Sequence, residues 1–122
     1  MERQLIFISN SELLRVMPSS VVFITADGNY SVITTVIGSE HTLTLQLGQI
    51  EQKIAVMSDP DDCRFIRIGK SLIVNRDYIT FINVPRQRLI LSDSRTFKHE
   101  LSASKEALKL LKTVLEEEYH EQ

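Results

Sequence analysis

The chain has 122 residues, 43% of them hydrophobic and 25% charged, a length that suits one domain over residues 1–122 and a composition that excludes a disordered chain. Apolar runs such as residues 21–24 fall far short of the ~20 residues of a membrane-spanning helix, and the N-terminal MERQLIFISN has no small-residue cleavage site, so a cytoplasmic address is expected. Cys63 is the only cysteine, which excludes an internal disulfide and a multi-cysteine zinc site and leaves an inert core or loop thiol.

From residue 4 to about residue 100, apolar residues alternate at period two or form short runs rich in Val, Ile and Thr, the pattern of a mainly β protein. Strands are expected at 4–9, 13–17, 21–26, 30–37 and 42–47, with Asp27–Gly28 as a hairpin signal because both residues tolerate positive φ. Residues 47–57 change period: Leu47, Ile50, Ile54 and Met57 recur at three and four, the stripe of an amphipathic helix, which Pro60 prevents from continuing. A second group of strands follows at 64–68, 72–74, 78–83, 88–92 and 96–101, with turns near Pro85 and at Asp93–Ser94. A final helix over about 104–119 places Leu108, Leu111 and Leu115 on one side and has Ser102 or Ser104 as its N-cap. Strands this short must pack sheet on sheet to bury one face each.

Charge is unevenly placed. Residues 64–112 hold eleven Lys/Arg and four acids, net +7, while the rest of the chain is net −9 within an overall charge of −2. Such segregation fits either a basic face or charges spread over several solvated faces. In the final helix Lys105 stands at the start and Glu116–Glu118 at the end, both opposed to the helix dipole. Exposed charges at a fraying end tolerate this cheaply; alternatively Lys105 and the unpaired N–H groups near Ser104 face an external anion such as a phosphate.

Motifs for catalysis are lacking. There is no G-x-S-x-G elbow, the single cysteine has no histidine nearby in sequence, and His41, His99 and His120 form no metal-binding pair and read as surface residues. The acids at 59–62 lack the spacing of a calcium loop and read as a solvated turn, and the glycines stand singly, which excludes a phosphate-cradling loop. The chain is read as a non-enzyme with no cofactor and no metal.

The segments VVFITADGNYSVITT, LGQIEQKIAVM and RFIRIGKSLIVNRDYITFI, in this order, resemble the LytTR DNA-binding domain family. Its pattern is an apolar strand ending in N-Y, a helix, then F-x-R-I/V-H-R/K-S-Y/F-L/I/V-V-N with Y-I downstream. Phe65, Arg67, Ile68, Lys70, Ser71, Val74, Asn75, Tyr78 and Ile79 match, and the likeness spans about residues 5–112. Gly69 stands where histidine is usual and Leu72 where an aromatic is common. The family's usual receiver domain has no room in a chain that begins at Met1.

The resemblance implies an elongated sandwich of short antiparallel sheets, with one internal and one C-terminal helix, that reads duplex DNA through loops in a bacterial transcriptional regulator. Carried onto this sequence, the DNA-contacting positions are Asn29 and Tyr30 in a first loop, Arg67, Lys70 and Ser71 around a second, and Ser104 and Lys105 in a third. Lysine can donate to guanine or pair with phosphate, Asn can read adenine, and serine suits backbone oxygens. Other readings stay open: Asn29 as a left-handed turn residue, Tyr30 packed on a sheet edge, Arg67 in a cross-strand ion pair, and Asn75 bonded to local backbone. Expected partners are double-stranded DNA, with pairing of two copies on it, and a separate signalling protein. The competing function is a protein-interaction module that modulates another regulator without touching DNA, which the net negative charge favours.

Overall fold

The computed structural model describes residues 3–120, the side chain of His120 excepted. The chain divides into two compact units, residues 1–77 and 78–122. The first holds β1 (Leu5–Ile8), β2 (Leu13–Val16), β3 (Val21–Asp27), β4 (Tyr30–Thr35), β5 (Glu40–Leu43), helix α1 (Leu47–Met57), β6 (Phe65–Ile68) and β7 (Leu72–Asn75). The second holds β8 (Ile79–Asn83), β9 (Arg88–Ser92), β10 (Lys98–Ser102) and helix α2 (Lys105–His120). Every strand pairing is antiparallel, as the fold class expected from sequence requires.

In the first unit, β1 and β2 form a hairpin and the other strands a sheet in the order β5-β4-β3-β7-β6. The central strand β3 reads Val21, Val22, Phe23, Ile24, all buried, so both sheet faces are covered here and strict alternation gives way to a continuous apolar run. One core joins Leu5 and Phe7 of the hairpin, Ile24, Ile33 and Ile73 of the sheet, and Leu47, Ile50 and Ile54 of α1. Helix α1 thus shares with the hairpin the covering role expected of a second sheet. It begins where Gln46 N–H donates to Gln49 Oε1 at 2.8 Å and stops where Ser58 N–H closes on the Ile54 carbonyl at 2.9 Å, just before Pro60.

The strand bounds differ from expectation where side chains or loops claim backbone groups. The alternation Leu43, Leu45, Leu47 reads as strand, but β5 ends at Leu43: the Leu45 carbonyl accepts from Ser31 Oγ at 2.7 Å and Thr44 N–H turns to the Glu12 carboxylate at 3.2 Å. Strand β4 ends at Thr35 because Gly38, at φ +87°, folds the chain back and donates to the Thr35 carbonyl. Tyr78 lies in a 3₁₀ turn (Arg76–Tyr78), not in β8. Strand β10 starts at Lys98, since the N–H groups of Thr96 and Phe97 both donate to Asp93 Oδ1.

The second unit is a β10-β9-β8 meander with α2 against β8. Leu89 and Leu91 on β9 and Leu108 and Leu111 on α2 are buried. Tyr78, Phe97 and His99 form a ring cluster, with Tyr78 and Phe97 edge-on at 5.2 Å and Phe97 and His99 at 5.7 Å. His99 is therefore a half-buried packing residue, which corrects its reading as a surface group. His41 lies within 3.3 Å of Ser39 Oγ, and the side chain of His120 lies outside the described residues.

Asn75 is fully buried at the end of β7. Its Oδ1 accepts the Asp77 N–H at 3.0 Å, the local bond expected of it. Its Nδ2 also reaches the Val21 carbonyl at 2.9 Å and the Pro18 carbonyl at 3.3 Å, far away in sequence. Asn75→Ala leaves buried backbone groups unpaired and should cost about 2–4 kcal/mol, measured as a lower urea midpoint with unchanged m-value. The turn before β10 should respond to acid. The Thr96 hydroxyl chiefly, with the N–H groups of Arg95, Thr96 and Phe97, holds the Asp93 carboxyl well below its ordinary value of 3.8. A lowered folded value means that this contribution is complete above that ordinary range and is lost as pH falls through the folded value. Hydrogen exchange of the Thr96 and Phe97 amides, corrected for intrinsic rate, should therefore quicken between pH 5 and pH 2 in the parent and be flat in Asp93→Asn.

Candidate nucleic-acid interface

Two polar loops share one end of the five-stranded sheet. The pairing of Asp27 with Tyr30 leaves a two-residue turn, Gly28–Asn29, and that of Ile68 with Leu72 leaves the three-residue loop 69–71. Positive φ in the first turn falls on Gly28 (+62°) alone, the signature of a type II′ turn, so Asn29 is not the left-handed residue and its exposed side chain has no conformational duty. Tyr30 is 48% exposed, not packed away on a sheet edge. Since β3 and β7 are neighbours, the two loops are too, and Ala26 N–H donates to the Ser71 carbonyl at 2.9 Å just inside them.

The start of α1 reaches the same end, because Ser31 pairs with Leu43 and its hydroxyl holds the Leu45 carbonyl. The Glu12 carboxylate ties the β1–β2 turn to this edge, accepting from Ser9 Oγ at 2.8 Å, Thr44 Oγ1 at 2.8 Å and Thr44 N–H at 3.2 Å. Ser9 first and Thr44 next lower the Glu12 pKa. Nothing at the sequence level marked Glu12, since its partner Thr44 is distant in the chain.

Arg67 and Lys70 divide their work. Arg67 Nη1 pairs with Glu51 on α1 at 2.9 Å and Nη2 donates to the Lys70 carbonyl at 3.1 Å. Its acid partner is on the helix, not across the strands, and its guanidinium clamps the loop backbone to α1. The Lys70 side chain is exposed with no ion pair among the described residues, and Ser71 beside it is exposed.

In the second unit, Ser104 Oγ accepts the Ala107 N–H at 3.1 Å and is the N-cap of α2, which makes Lys105 the first helical residue, exposed and without an ion pair among the described residues. Glu106 also sits in the first turn, so this end of the helix is not wholly mischarged; at the other end Lys112 pairs with Glu116. The β8–β9 turn lies beside the cap, with Gln87 Nε2 donating to the Ala103 carbonyl at 3.2 Å and Ser102 Oγ to the Gln87 carbonyl at 3.5 Å. This turn carries Arg86, exposed and without an ion pair among the described residues, a cation not marked as a site residue in the sequence because only the fold brings its turn to the cap of α2.

The family model of the LytTr DNA-binding domain matches residues 11–116. This chain belongs to the LytTR DNA-binding domain family. The solved LytTr DNA-binding domain of a Bacillus cereus protein has the same fold, with a TM-score of 0.62 at 17% identity over 94% of this chain and 98% of that one. No curated protein matches.

Against the LytTR pattern, the two departures have different meanings. Leu72 is buried, so a change from aromatic to Leu there is a matter of packing. Gly69 is exposed at φ +60° with open space where a Cβ would stand, so histidine at this place would project from the loop tip. Among the described residues no group of three or more His, Cys, Asp and Glu side chains could hold a metal ion. Cys63 is exposed in the 59–63 loop.

The clamp predicts a local effect. Arg67→Leu removes both the Glu51 pair and the Lys70 carbonyl bond, which should cost roughly 1–2 kcal/mol and concentrate the loosening in loop 69–71. The check is amide exchange: Ala26 N–H, bonded to Ser71, should lose protection while Ile24 N–H keeps it.

Proposed function

We propose that this protein binds double-stranded DNA sequence-specifically, as a transcriptional regulator, and that it reads DNA with loop side chains and not with a helix laid along the major groove. The observation that carries this reading is the state of Lys70: a cation with no ion-pair partner among the described residues, on a loop whose backbone is held from behind by Arg67. A cation so placed keeps its charge for an external anion, while the clamp lowers the ordering cost of binding. Asn29 and Tyr30 stand on the neighbouring turn, where Asn can donate to and accept from adenine and Tyr can reach sugar or phosphate. Ser71 supplies a short donor for backbone oxygens. Arg67 serves this site by positioning, since its guanidinium is committed to Glu51 and the Lys70 carbonyl.

The third segment adds a helix N-terminus. Lys105, the free N–H groups of the first turn and Arg86 beside them suit a phosphate, with Ser104 occupied as cap. The chain's charge of −2 is no obstacle to this. What a phosphate meets is the local field at unpaired cations, not the total. Among the described residues no helix is long and apolar enough to cross a membrane.

The test begins with selection of bound sites from a random duplex pool, followed by titrations of the best site across a salt series. Log affinity should fall linearly with log salt, and binding that ignores salt would overturn the proposal. Lys70→Ala should cost about 1–3 kcal/mol and relax preference at one or two positions; a uniform loss over all sequences would move Lys70 to phosphate contact. Lys105→Glu should leave the melting temperature unchanged or slightly raised, while weakening DNA binding and reducing the salt slope by about one. Retained affinity in that variant would make Lys105 a solvated surface charge.

A further inference from the structure

The first unit exposes aliphatic side chains that its core does not use. Along the hairpin, Leu5 and Phe7 point inward while Ile6 and Ile8 point out, and Ile8 faces Leu13 across the pair as Ile6 faces Arg15. Ile8 and Leu13 are 58% and 66% exposed, and Val56 on α1 is 82% exposed. Ile6 and Val56 meet: with Gln49, Gln52, Lys53 and Met57 they line one groove of about 770 Å³ between hairpin and helix, and Ile8 follows Ile6 on the same face of β1. Scattered exposed aliphatics need no explanation, but a hydrophobic groove with a ridge of Ile8 and Leu13 beside it marks an interaction surface.

The charge around the groove and its walls select the occupant. Among the described residues Lys53 is the one charged residue lining it, and Arg15 stands on the same outward face of the hairpin; neither has a carboxylate partner among them. Two copies of this chain meeting through the face by two-fold symmetry would crowd these cations together, which disfavours self-pairing. An added β-strand is disfavoured as well, because the Ile6 N–H on the groove side already donates to Met57 Sδ at 3.3 Å. We propose that this groove docks an amphipathic helix of a partner protein, its apolar stripe seated against Ile6 and Val56 and its flanking carboxylates against Lys53 and Arg15.

The docked helix would lie on the outer face of α1, whose Glu51 holds Arg67 and, through it, the Lys70 loop. Its site is separate from Asn29, Lys70 and Ser71, so its occupancy and DNA binding can be measured independently.

The probe is a fluorescein-labelled synthetic helix with a leucine stripe at three- and four-residue spacing flanked by glutamates. Its controls are the same stripe flanked by lysines and a glutamate peptide with the stripe scrambled. By anisotropy with the full chain, the acid-flanked stripe should bind at least about ten-fold tighter than either control. Val56→Ser, an exposed change that should leave the circular dichroism melt intact, should weaken it by about ten-fold, and Lys53→Glu should reverse the preference between glutamate and lysine flanks. DNA titrations of Val56→Ser without peptide should match the parent, which separates failure here from failure of the DNA reading. Equal binding of all three peptides, or no binding, overturns the proposal. So does self-association in sedimentation that Val56→Ser abolishes, which would make a second copy the occupant, or Val56-dependent binding to anionic phosphatidylserine vesicles without peptide discrimination, which would make it a lipid surface.

Discussion

The pairing of β3 with β7 is the constraint on which the loop end of the first unit rests. These strands are about fifty residues apart in sequence, and their register, Phe23 with Val74 and Thr25 with Leu72, sets which loops become neighbours. Both ends of the pairing are pinned by polar groups: Asn75 holds the Pro18 and Val21 carbonyls at one end, and Ala26 N–H holds the Ser71 carbonyl at the other. A slip of one residue would put the buried Ile24 and Ile73 on the opposite face and separate the 28–29 and 69–71 loops, so core packing and loop juxtaposition are enforced together. The β3–β4 turn alone could form locally; its position beside Lys70 cannot, because that depends on closing the long excursion through β5 and α1.

Much of this architecture was legible in the sequence because local signals and tertiary demands agreed. The stripe Leu47, Ile50, Ile54 with Pro60 behind it is helical by period and by termination, and α1 has the expected bounds. Ser104 caps α2 as its chemistry suggests. The failures came where a distant partner outbid a local pattern. Leu43, Leu45 and Leu47 alternate like a strand, yet Ser31 and Glu12 take the backbone at 44 and 45, and no window around those leucines contains either residue. Thr96 and Phe97 look like strand until Asp93 is seen to hold their N–H groups. At the candidate interface, family pattern and charge named Lys70 and Lys105. The division of labour between Arg67 and Lys70 was hidden, because the Glu51 that occupies Arg67 sits on another element. Arg86 was hidden for the same reason.

The charge pattern along the chain has a physical resolution that counting cannot supply. Of the basic residues between 64 and 112, Arg64, Arg67, Arg88 and Lys112 are engaged with carboxylates. Lys70, Arg86, Arg95, Lys98, Lys105 and Lys109 have no such partner among the described residues; they lie on loops, on β10 and in the first half of α2. A paired cation presents little field beyond a few ångströms, whereas an unpaired one retains its Coulomb attraction for phosphate, screened only by salt. Segregation in the sequence therefore overstates the basic surface in one respect and locates it in another: the effective cations are the few that the fold leaves without acids.

Helix α1 connects the two surfaces of the first unit through its faces. Its inner stripe, Leu47, Ile50 and Ile54, is locked into the core, so the helix cannot rotate without opening that core. Glu51 lies one position after Ile50 and holds Arg67, while Lys53 and Val56 face the outer groove. A ligand on the outer face can thus act on loop 69–71 only by a small shift of α1 as a body, or by stiffening it. The Glu51–Arg67–Lys70 carbonyl chain would transmit either to the backbone that carries Lys70. Because both Arg67 bonds are charge-assisted and partly exposed, they are weak enough to be retuned without unfolding and directional enough to set where the loop sits. A rigid inner face, a charged side link and an apolar outer face give one short helix the geometry for coupling, while the Lys70 side chain has no ion pair among the described residues.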